Sequence, residues 1–424
     1  MLFSADRLPS TLRLDANTGI VTGTVPSEGR YAFTFRASGA GGVATRAVTM
    51  VAGERPLPTP LLGWNSWYAH FLEVDAAGVR RAARAMVDSG LADFRFRYVN
   101  VDDGWEAETR AANGEIVANA KFPDMRALTD EIHAMGLRAG LYSSPGPKTC
   151  GQYLGSYGHE GQDARTWANW GFDLIKYDWC SYGGIAKDNS LAEYQKPYIL
   201  MGNELKRLDR DLAFSMCQYG MGDVRAWGTE VGGSLWRTTG DVYDSWASVS
   251  AIGFEKGGVD AQRGDDPDML MVGKLLTTGK VAPSRLTPNE QITQVTLWSM
   301  RGAPLLLSCD LTQLDGFTQR LLMNPEVLDV DQDLSMPGRK VAGDGSIEVW
   351  RRDLTDGAYA IAVFNRGFGR AEVPMTLGPW LPQPVVAYKT VTVRDLWPRR
   401  DLSRIPKSVT VPAHGVRLFR VVAR

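Results

Sequence analysis

Between about residues 61 and 332 the chain repeats one unit: an apolar strand-like run, a loop, then an amphipathic helical run. "FRYVNVDDGW" (96–105) is an apolar strand ending in two aspartates. Before it, Val79, Ala82, Ala83, Met86 and Val87 recur at the spacing of one helical face. Gly90 stands where a helix-ending glycine belongs. Leu128, Ile132 and Met135 form a second stripe, closed by Gly136, and lead into the strand "LRAGLYSS" (137–144). "ARTWANWGFDLIKYDWC" supplies helix, Gly171 and strand. "DLAFSMCQYG" (211–220), "SLWRTTGD" (234–241) and "GAPLLLSCDL" (302–311) continue the series. Such alternation predicts parallel strands joined by crossover helices. Roughly eight strand candidates in this length fit an α/β fold of the closed (β/α)8, or TIM barrel, type. A doubly wound open sheet is the alternative, without a glycine-rich phosphate turn to support it.

The flanks have a different texture. Residues 1–55 alternate apolar and polar residues between Asn/Gly and Gly/Ala breaks, a β-rich segment short for a complete sandwich. "GERPLPTP" (53–60) reads as a proline-rich linker. Residues 335–424 alternate well in "SIEVWRRD", "AYAIAVFNRG", "TVTVRDLW" and "SVTVPAHGVRLFRVV". That pattern predicts an antiparallel β-sandwich packed on the barrel. The expected domains are therefore 1–55, 61–332 and 335–424.

Several function classes lose support. A net charge of -1 gives no bulk attraction to nucleic acid or to an anionic membrane. No apolar run approaches the ~20 residues of a membrane helix. The four histidines (His70, His133, His159 and His414) lack metal-ligand spacing, and there is no GxSxG or phosphate-loop motif. Acid–base chemistry has to rest on carboxylates. The 13 tryptophans suit stacking on sugar faces, or simply the filling of a large core.

Active-site residues of a barrel lie at the C-terminal ends of its strands. Reading those ends collects Trp64, Trp67, Asp102, Asp103, Tyr142, Lys176, Asp178, Cys217, Gln218, Tyr219, Arg237, Asp241 and Asp268. Carboxylates, two cations and aromatics suit a polyhydroxylated ligand. Asp178 and Asp241 end different strands and could face each other across the mouth, as the carboxylate pair of a glycosidase must. Plainer readings stand beside this one. Asp103 and Asp244 could be caps, Arg237 could merely pair with a carboxylate, and Lys176 could be a core-edge cation paired to Asp102.

With these residues assembled, the chain resembles glycoside hydrolase family 27, the α-galactosidase and α-N-acetylgalactosaminidase (melibiase-like) family. The matching blocks are "LGWNSWYAHF", "YVNVDDGW", "GLYSSPGPKTC", "WANWGFDLIKYDWC", "WRTTGDVYDSW", "DPDMLMVG" and "APLLLSCDL", in family order over about 60–335. The resemblance implies a retaining exo-glycosidase acting on terminal α-D-galactosyl residues, without cofactor or metal. Asp178 matches the nucleophile and Asp241 the general acid/base. Asp102 and Asp103 match the pair that binds the 4- and 6-hydroxyls, and Lys176 would hold ring hydroxyls. Trp67 and Tyr142 match pocket walls. Cys217, Gln218 and Arg237 lie toward the sugar's 2-position, and Asp268 and Met269 match the pocket floor. Cys150 and Cys180 match a family disulfide, leaving Cys217 and Cys309 as unpaired thiols. Retention requires the two carboxyl groups to stand about 5 to 6 Å apart.

The chain departs from the family at one informative place. Many α-galactosidases carry Cys-Glu-Trp where this chain has Cys217, Gln218 and Tyr219. Acetamido-sugar enzymes have small residues where Gln218 and Met221 stand, so galactose is preferred over N-acetylgalactosamine. The rival readings are β-L-arabinopyranosidase, α-N-acetylgalactosaminidase, isomalto-dextranase, or a sugar-binding protein without turnover. The expected partner is an α-galactoside oligosaccharide or glycan, with neither nucleic acid nor membrane. The N-terminal segment resembles part of an Ig-like module common in bacterial exported enzymes. A periplasmic or extracellular protein is therefore expected, although "MLFSADRLPS" carries no signal-peptide pattern.

Overall fold

The computed structural model describes the whole chain except residues 26, 54–56, 256–261, 277–278 and 383–388, so part of the proline-rich linker lies outside the described residues. Two compact units result, Met1–Pro58 and Thr59–Arg424. In the first, β1 (Leu2–Asp6), β4 (Gly29–Gly39) and β5 (Gly42–Ala52) form an antiparallel sheet, and β2 (Leu12–Leu14) with β3 (Val21–Gly23) a hairpin. Among the described residues of this unit only Leu12 and Phe33 are buried, a thin core. The two eleven-residue strands, β4 and β5, are longer than the short strands expected.

The second unit opens with the barrel. Its strands are β6 (Leu62–Asn65), β7 (Tyr98–Asn100), β8 (Arg138–Ser143), β9 (Leu174–Asp178), β10 (Ala213–Cys217), β11 (Leu235–Arg237) and β12 (Asp265–Asp266). A small hairpin follows, β13 (Lys274–Leu275) and β14 (Ala282–Pro283), and then β15 (Leu305–Leu307) completes the set of eight. Every pairing in this sheet is parallel, in the order β12-β11-β10-β9-β8-β7-β6-β15. The ends meet where Leu270, just past β12, bridges Leu307 and donates its N–H to Leu306. The expected barrel is the one observed, with strands shorter than their apolar runs: β7 takes only Tyr98–Asn100 of "FRYVNV" and β15 only Leu305–Leu307 of "GAPLLLSCDL".

The crossover helices form for the reasons the sequence offers. Helix Ala76–Asp88 is capped by Asp75, whose side chain accepts from Gly78 N, and it buries Val79, Ala82, Ala83 and Met86. Val87 is a correction: it is 39% exposed. Eight residues after Val79, it lies about 80° round the helix and so falls off the buried stripe. Gly136 and Gly171 take φ of 76° and 95° where helices Met125–Ala134 and Glu160–Trp170 turn back into β8 and β9, a conformation that disfavours side chains.

The C-terminal part is a β-sandwich. One layer has the order β16 (Arg339–Ala342), β17 (Ile347–Asp353), β18 (Tyr359–Asn365), β23 (Val416–Ala423), β20 (Val391–Asp395), β21 (Arg400–Leu402). The other pairs β19 (Ala371–Pro374) with β22 (Ser408–Val411), and Val349, Ile361, Val363, Trp380, Val411 and Phe419 pack in its core. The short strands β16, β19 and β21 were not evident from alternation. Helix Pro288–Arg301, started by a Thr287/Glu290 capping box, lies between barrel and sandwich. Arg352 of β17 is buried and donates to Ser299 O and Val330 O, which ties the two parts together.

Candidate active site

The strand ends gather one polar cluster. Asp178 closes β9 and is buried. Burial pushes its carboxyl above the ordinary range, against the opposing pull of Lys176, of a hydrogen bond from Tyr219 and of Arg237. The loop after it is pinned by the Cys150–Cys180 disulfide, as the resemblance implies, and Tyr142 Oη lies 3.3 Å from Cys180 Sγ. Cys217 and Cys309 are buried free thiols, also as expected. Cys150, Cys180 and Asp178 are close enough together to hold a metal, but both sulfurs are spent in the disulfide and offer no thiolate.

Lys176, two residues earlier on β9, points at β7. Its Nζ donates to Asp102 Oδ2 at 2.8 Å and lies 5.0 Å from the centroid of the buried Tyr142 ring. Burial alone would lower the ammonium pKa, but Asp102 and Asp178 hold it well above the usual value. Asn65 also donates to Asp102 Oδ2, at 2.7 Å, while its Oδ1 accepts from Trp67 N. This fixes the entry to the segment that carries the half-buried Trp67. Asp103 accepts from Gly151 N at 2.6 Å through Oδ2; its Oδ1 is buried without a hydrogen-bond partner among the described residues, and the nearby Thr149 hydroxyl favours the ionised form. Burial raises the Asp103 carboxyl to about 6. A helix cap would spend its oxygens on a first turn, and Asp103 does not.

β10 to β12 supply the other side. Gln218 is 1% exposed, and neither Nε2 nor Oε1 has a partner among the described residues. An unpaired buried amide costs about 1–3 kcal/mol, so it marks a place built for a polar ligand. Arg237 is the hub: one amino group, Nη2, lies 3.1 Å from both Asp241 Oδ1 and Asp268 Oδ2, and Nη1 reaches Cys217 Sγ at 3.6 Å. Asp241 is half-exposed at 49%, whereas Asp178 is enclosed. Asp268 adopts φ 79° and accepts from Val242 N, and Met269 is buried beside it. Tyr219, also left-handed at φ 62°, donates its hydroxyl to Asp178 Oδ1 at 2.5 Å.

Not every residue near a strand end belongs to the cluster. Trp64 is fully buried and donates to Cys309 O, so it is a core residue. Asp244 pairs with Arg285 and is a structural carboxylate. Other residues had no assigned role in the sequence reading. Asn65 orients Asp102, and Ser66 Oγ accepts from Asp102 N. Glu106 is fully buried, and burial together with Asp103 drives its carboxyl well above the usual range. Asp266, raised by burial to about 6, accepts from Asp268 N. Asn65 and Ser66 lie inside the block "LGWNSWYAHF" and Glu106 directly follows "YVNVDDGW", but nothing in their type or spacing separates them from core residues.

A parallel barrel carrying paired aspartates, cations and aromatics at its C-terminal mouth defines a carbohydrate-active hydrolase. Comparison with known proteins narrows the class. The family model for alpha galactosidase A matches residues 59–333, that for the alpha galactosidase C-terminal beta sandwich domain 344–421, and that for a putative Ig domain 2–52. The alpha-galactosidase of Cyamopsis tetragonoloba is 36% identical over 86% of this chain and 87% of its own. Alpha-galactosidase A of Cellvibrio japonicus is 35% identical over 88% and 94%. The crystal structure of alpha-galactosidase I from Mortierella vinacea superposes with a TM-score of 0.78 at 31% identity, covering 88% of this chain and 98% of that one. The chain belongs to the melibiase family, glycoside hydrolase family 27, and is a glycosidase.

Proposed function

We propose that the protein is an exo-acting α-galactosidase that releases terminal α-D-galactose with retention of configuration, through a covalent galactosyl-Asp178 intermediate. One observation carries the assignment of roles. Asp178 is enclosed among Lys176, the Tyr219 hydroxyl and Arg237, which favour its ionised form against burial, while Asp241 stands half-exposed at the mouth, where an aglycone would leave. Two carboxyl groups kept in different surroundings are what a double displacement requires.

In the first half of the cycle Asp178 attacks C1. The C1–oxygen bond to the aglycone breaks, and Asp241 gives its proton to the leaving oxygen. In the second half Asp241 takes a proton from water, the water oxygen bonds to C1, and the bond to Asp178 breaks. Asp102 and Asp103 hold the 4- and 6-hydroxyls, Asp103 Oδ1 having no partner among the described residues and so being free to accept one of them, and Lys176 holds ring hydroxyls near Asp178. Gln218, Cys217 and Arg237 face the 2-position. Trp67 and Tyr142 form the walls, and Asp268 and Met269 the floor. The names of the curated relatives support galactose as the sugar. Proton NMR of a nitrophenyl α-galactoside digest tests the reading: α-galactose is expected as the first product, and β-galactose appearing first overturns it.

A further inference from the structure

We infer that Tyr219 is a positioning residue for the nucleophile: its hydroxyl holds Asp178 Oδ1, leaves Oδ2 to attack, and supports the carboxylate when it departs from C1. This rests on the double-displacement reading above. The titratable and charged groups coupled to Asp178 are Lys176 on its own strand, Asp102 after β7, Tyr142 on β8, Cys217 and Tyr219 at β10, Arg237 on β11, and Tyr198 of helix Leu191–Lys206. Among the described residues only Tyr219 hydrogen-bonds the carboxylate.

The backbone shows that this contact is held in place. Tyr219 sits at φ 62°, followed by Gly220 at φ 83°. A left-handed turn is disfavoured for any residue with a Cβ. Here it turns the phenol back over the strand end and onto Asp178. The ring also lies under Arg237, 5.9 Å from the guanidinium carbon to the centroid, and that guanidinium contacts Asp241. One side chain thus touches the proposed nucleophile and packs against the residue that orients the proposed acid/base.

The effect differs between the two half-reactions. When Asp178 Oδ2 bonds to C1, the aglycone leaves with the proton from Asp241 and the carboxylate becomes an ester. Its Oδ1 is then a neutral carbonyl and a weaker acceptor. When water attacks C1, the C1–Oδ2 electron pair returns to the carboxylate, and the bond from Tyr219 regains its strength. The hydroxyl therefore favours the free carboxylate over the ester and assists hydrolysis of the intermediate more than its formation.

Tyr219→Phe assayed with dinitrophenyl α-galactoside, whose leaving group makes hydrolysis of the intermediate rate-limiting, tests this. kcat and KM should fall together by about 10–100-fold, the range of a hydrogen bond to a charged group, with a burst of dinitrophenol in the first turnover. The acid limb of kcat/KM should move to higher pH, because a donor that favoured ionised Asp178 is gone. Tyr219→Leu should move all three readouts the same way, which covers poor folding of the first variant. Unchanged kcat, KM and acid limb, or a raised KM with kcat intact, would make Tyr219 a pocket wall and overturn the inference. Wild-type enzyme releasing β-galactose first would instead overturn the double displacement on which it rests.

Discussion

Lys176 Nζ lies 2.8 Å from Asp102 Oδ2, a salt bridge that crosses the end of β8 to join β9 to β7. The cation therefore serves two carboxylates: it bonds Asp102 and favours the ionised form of Asp178. The plain structural reading of this lysine, a cation paired to Asp102, is what the geometry shows, and the pairing leaves the proposed role beside Asp178 open to the same atom.

Lys176→Met leaves Asp102 buried without its cation. Breaking such a pair costs about 3–5 kcal/mol, readable by urea denaturation. Asp178 loses one of the groups that hold its pKa down, so the acid limb of kcat/KM should move to higher pH. A limb that stays in place would separate Lys176 from the nucleophile's electrostatics.

Asp241→Ala should lower kcat/KM on oligosaccharides by about 10²–10⁴-fold, the scale of general acid catalysis. Dinitrophenyl α-galactoside, which needs no proton on its leaving group, should suffer less in forming the intermediate. Azide is small enough to replace the water that Asp241 activates. It should restore turnover and give α-galactosyl azide, identified by NMR. Failure of azide to accelerate the variant would count against Asp241 as the base.

Gln218→Ser combined with Met221→Ala should open the pocket beside the 2-position. Turnover of nitrophenyl α-N-acetylgalactosaminide should rise at least ~10-fold relative to the galactoside, since filling or emptying an apolar volume of this size is worth roughly 1–3 kcal/mol. The ratio of the two kcat/KM values decides the outcome, and an unchanged ratio would mean the 2-substituent does not face these residues.

Asp331 bears on stability, not catalysis. It ends helix Pro325–Asp331, is fully buried, and is raised by burial to about 7 despite a hydrogen bond from Gln332. A carboxyl whose folded pKa exceeds its unfolded one destabilises the native state when ionised. That cost begins as pH rises above the unfolded value and is complete above about 7. Asp331→Asn should raise Tm at pH 8, by up to a few kcal/mol in stability terms. It should also flatten the decline of Tm between mildly acidic and neutral pH. A lower Tm at pH 8 would mean the ionised group is better compensated than its burial implies.

The sequence was informative where a residue type and a strand end coincide. Asp102, Asp103, Asp178 and Asp241 could be collected because aspartate after an apolar run is conspicuous, and the barrel rule then brings the strand ends together. Trp64 stands beside Trp67 in the barrel-end set because a strand buried on both faces shows no alternation to mark its end; β6 stops at Asn65, which leaves Trp64 in the strand and Trp67 in the helical turn beyond it. The bond from Tyr219 to Asp178 was invisible, because it depends on a left-handed turn that neither composition nor period encodes. The two-residue β12 and the closure through Leu270 likewise leave no periodic trace.

That closure has a consequence for how the mouth can be altered. The seventh strand pairs with β11 through Asp265 and Asp266 and, among the described residues, meets β15 at Leu270. Between the two contacts Pro267, Asp268 and Met269 join no ladder; Asp268 N donates to Asp266 Oδ1, and the carbonyls of Asp268 and Met269 accept from Trp298 and Gln294 of helix Pro288–Arg301. A residue gained or lost there would break these bonds and shift Leu270 against β15, whereas a replacement at Trp298 or Gln294 leaves every ladder in register. The stretch proposed as the pocket floor thus hangs from the helix between barrel and sandwich. Selection on a new sugar can reshape it from outside the pocket, and replacements at 294 and 298 are expected when the selected genes are sequenced.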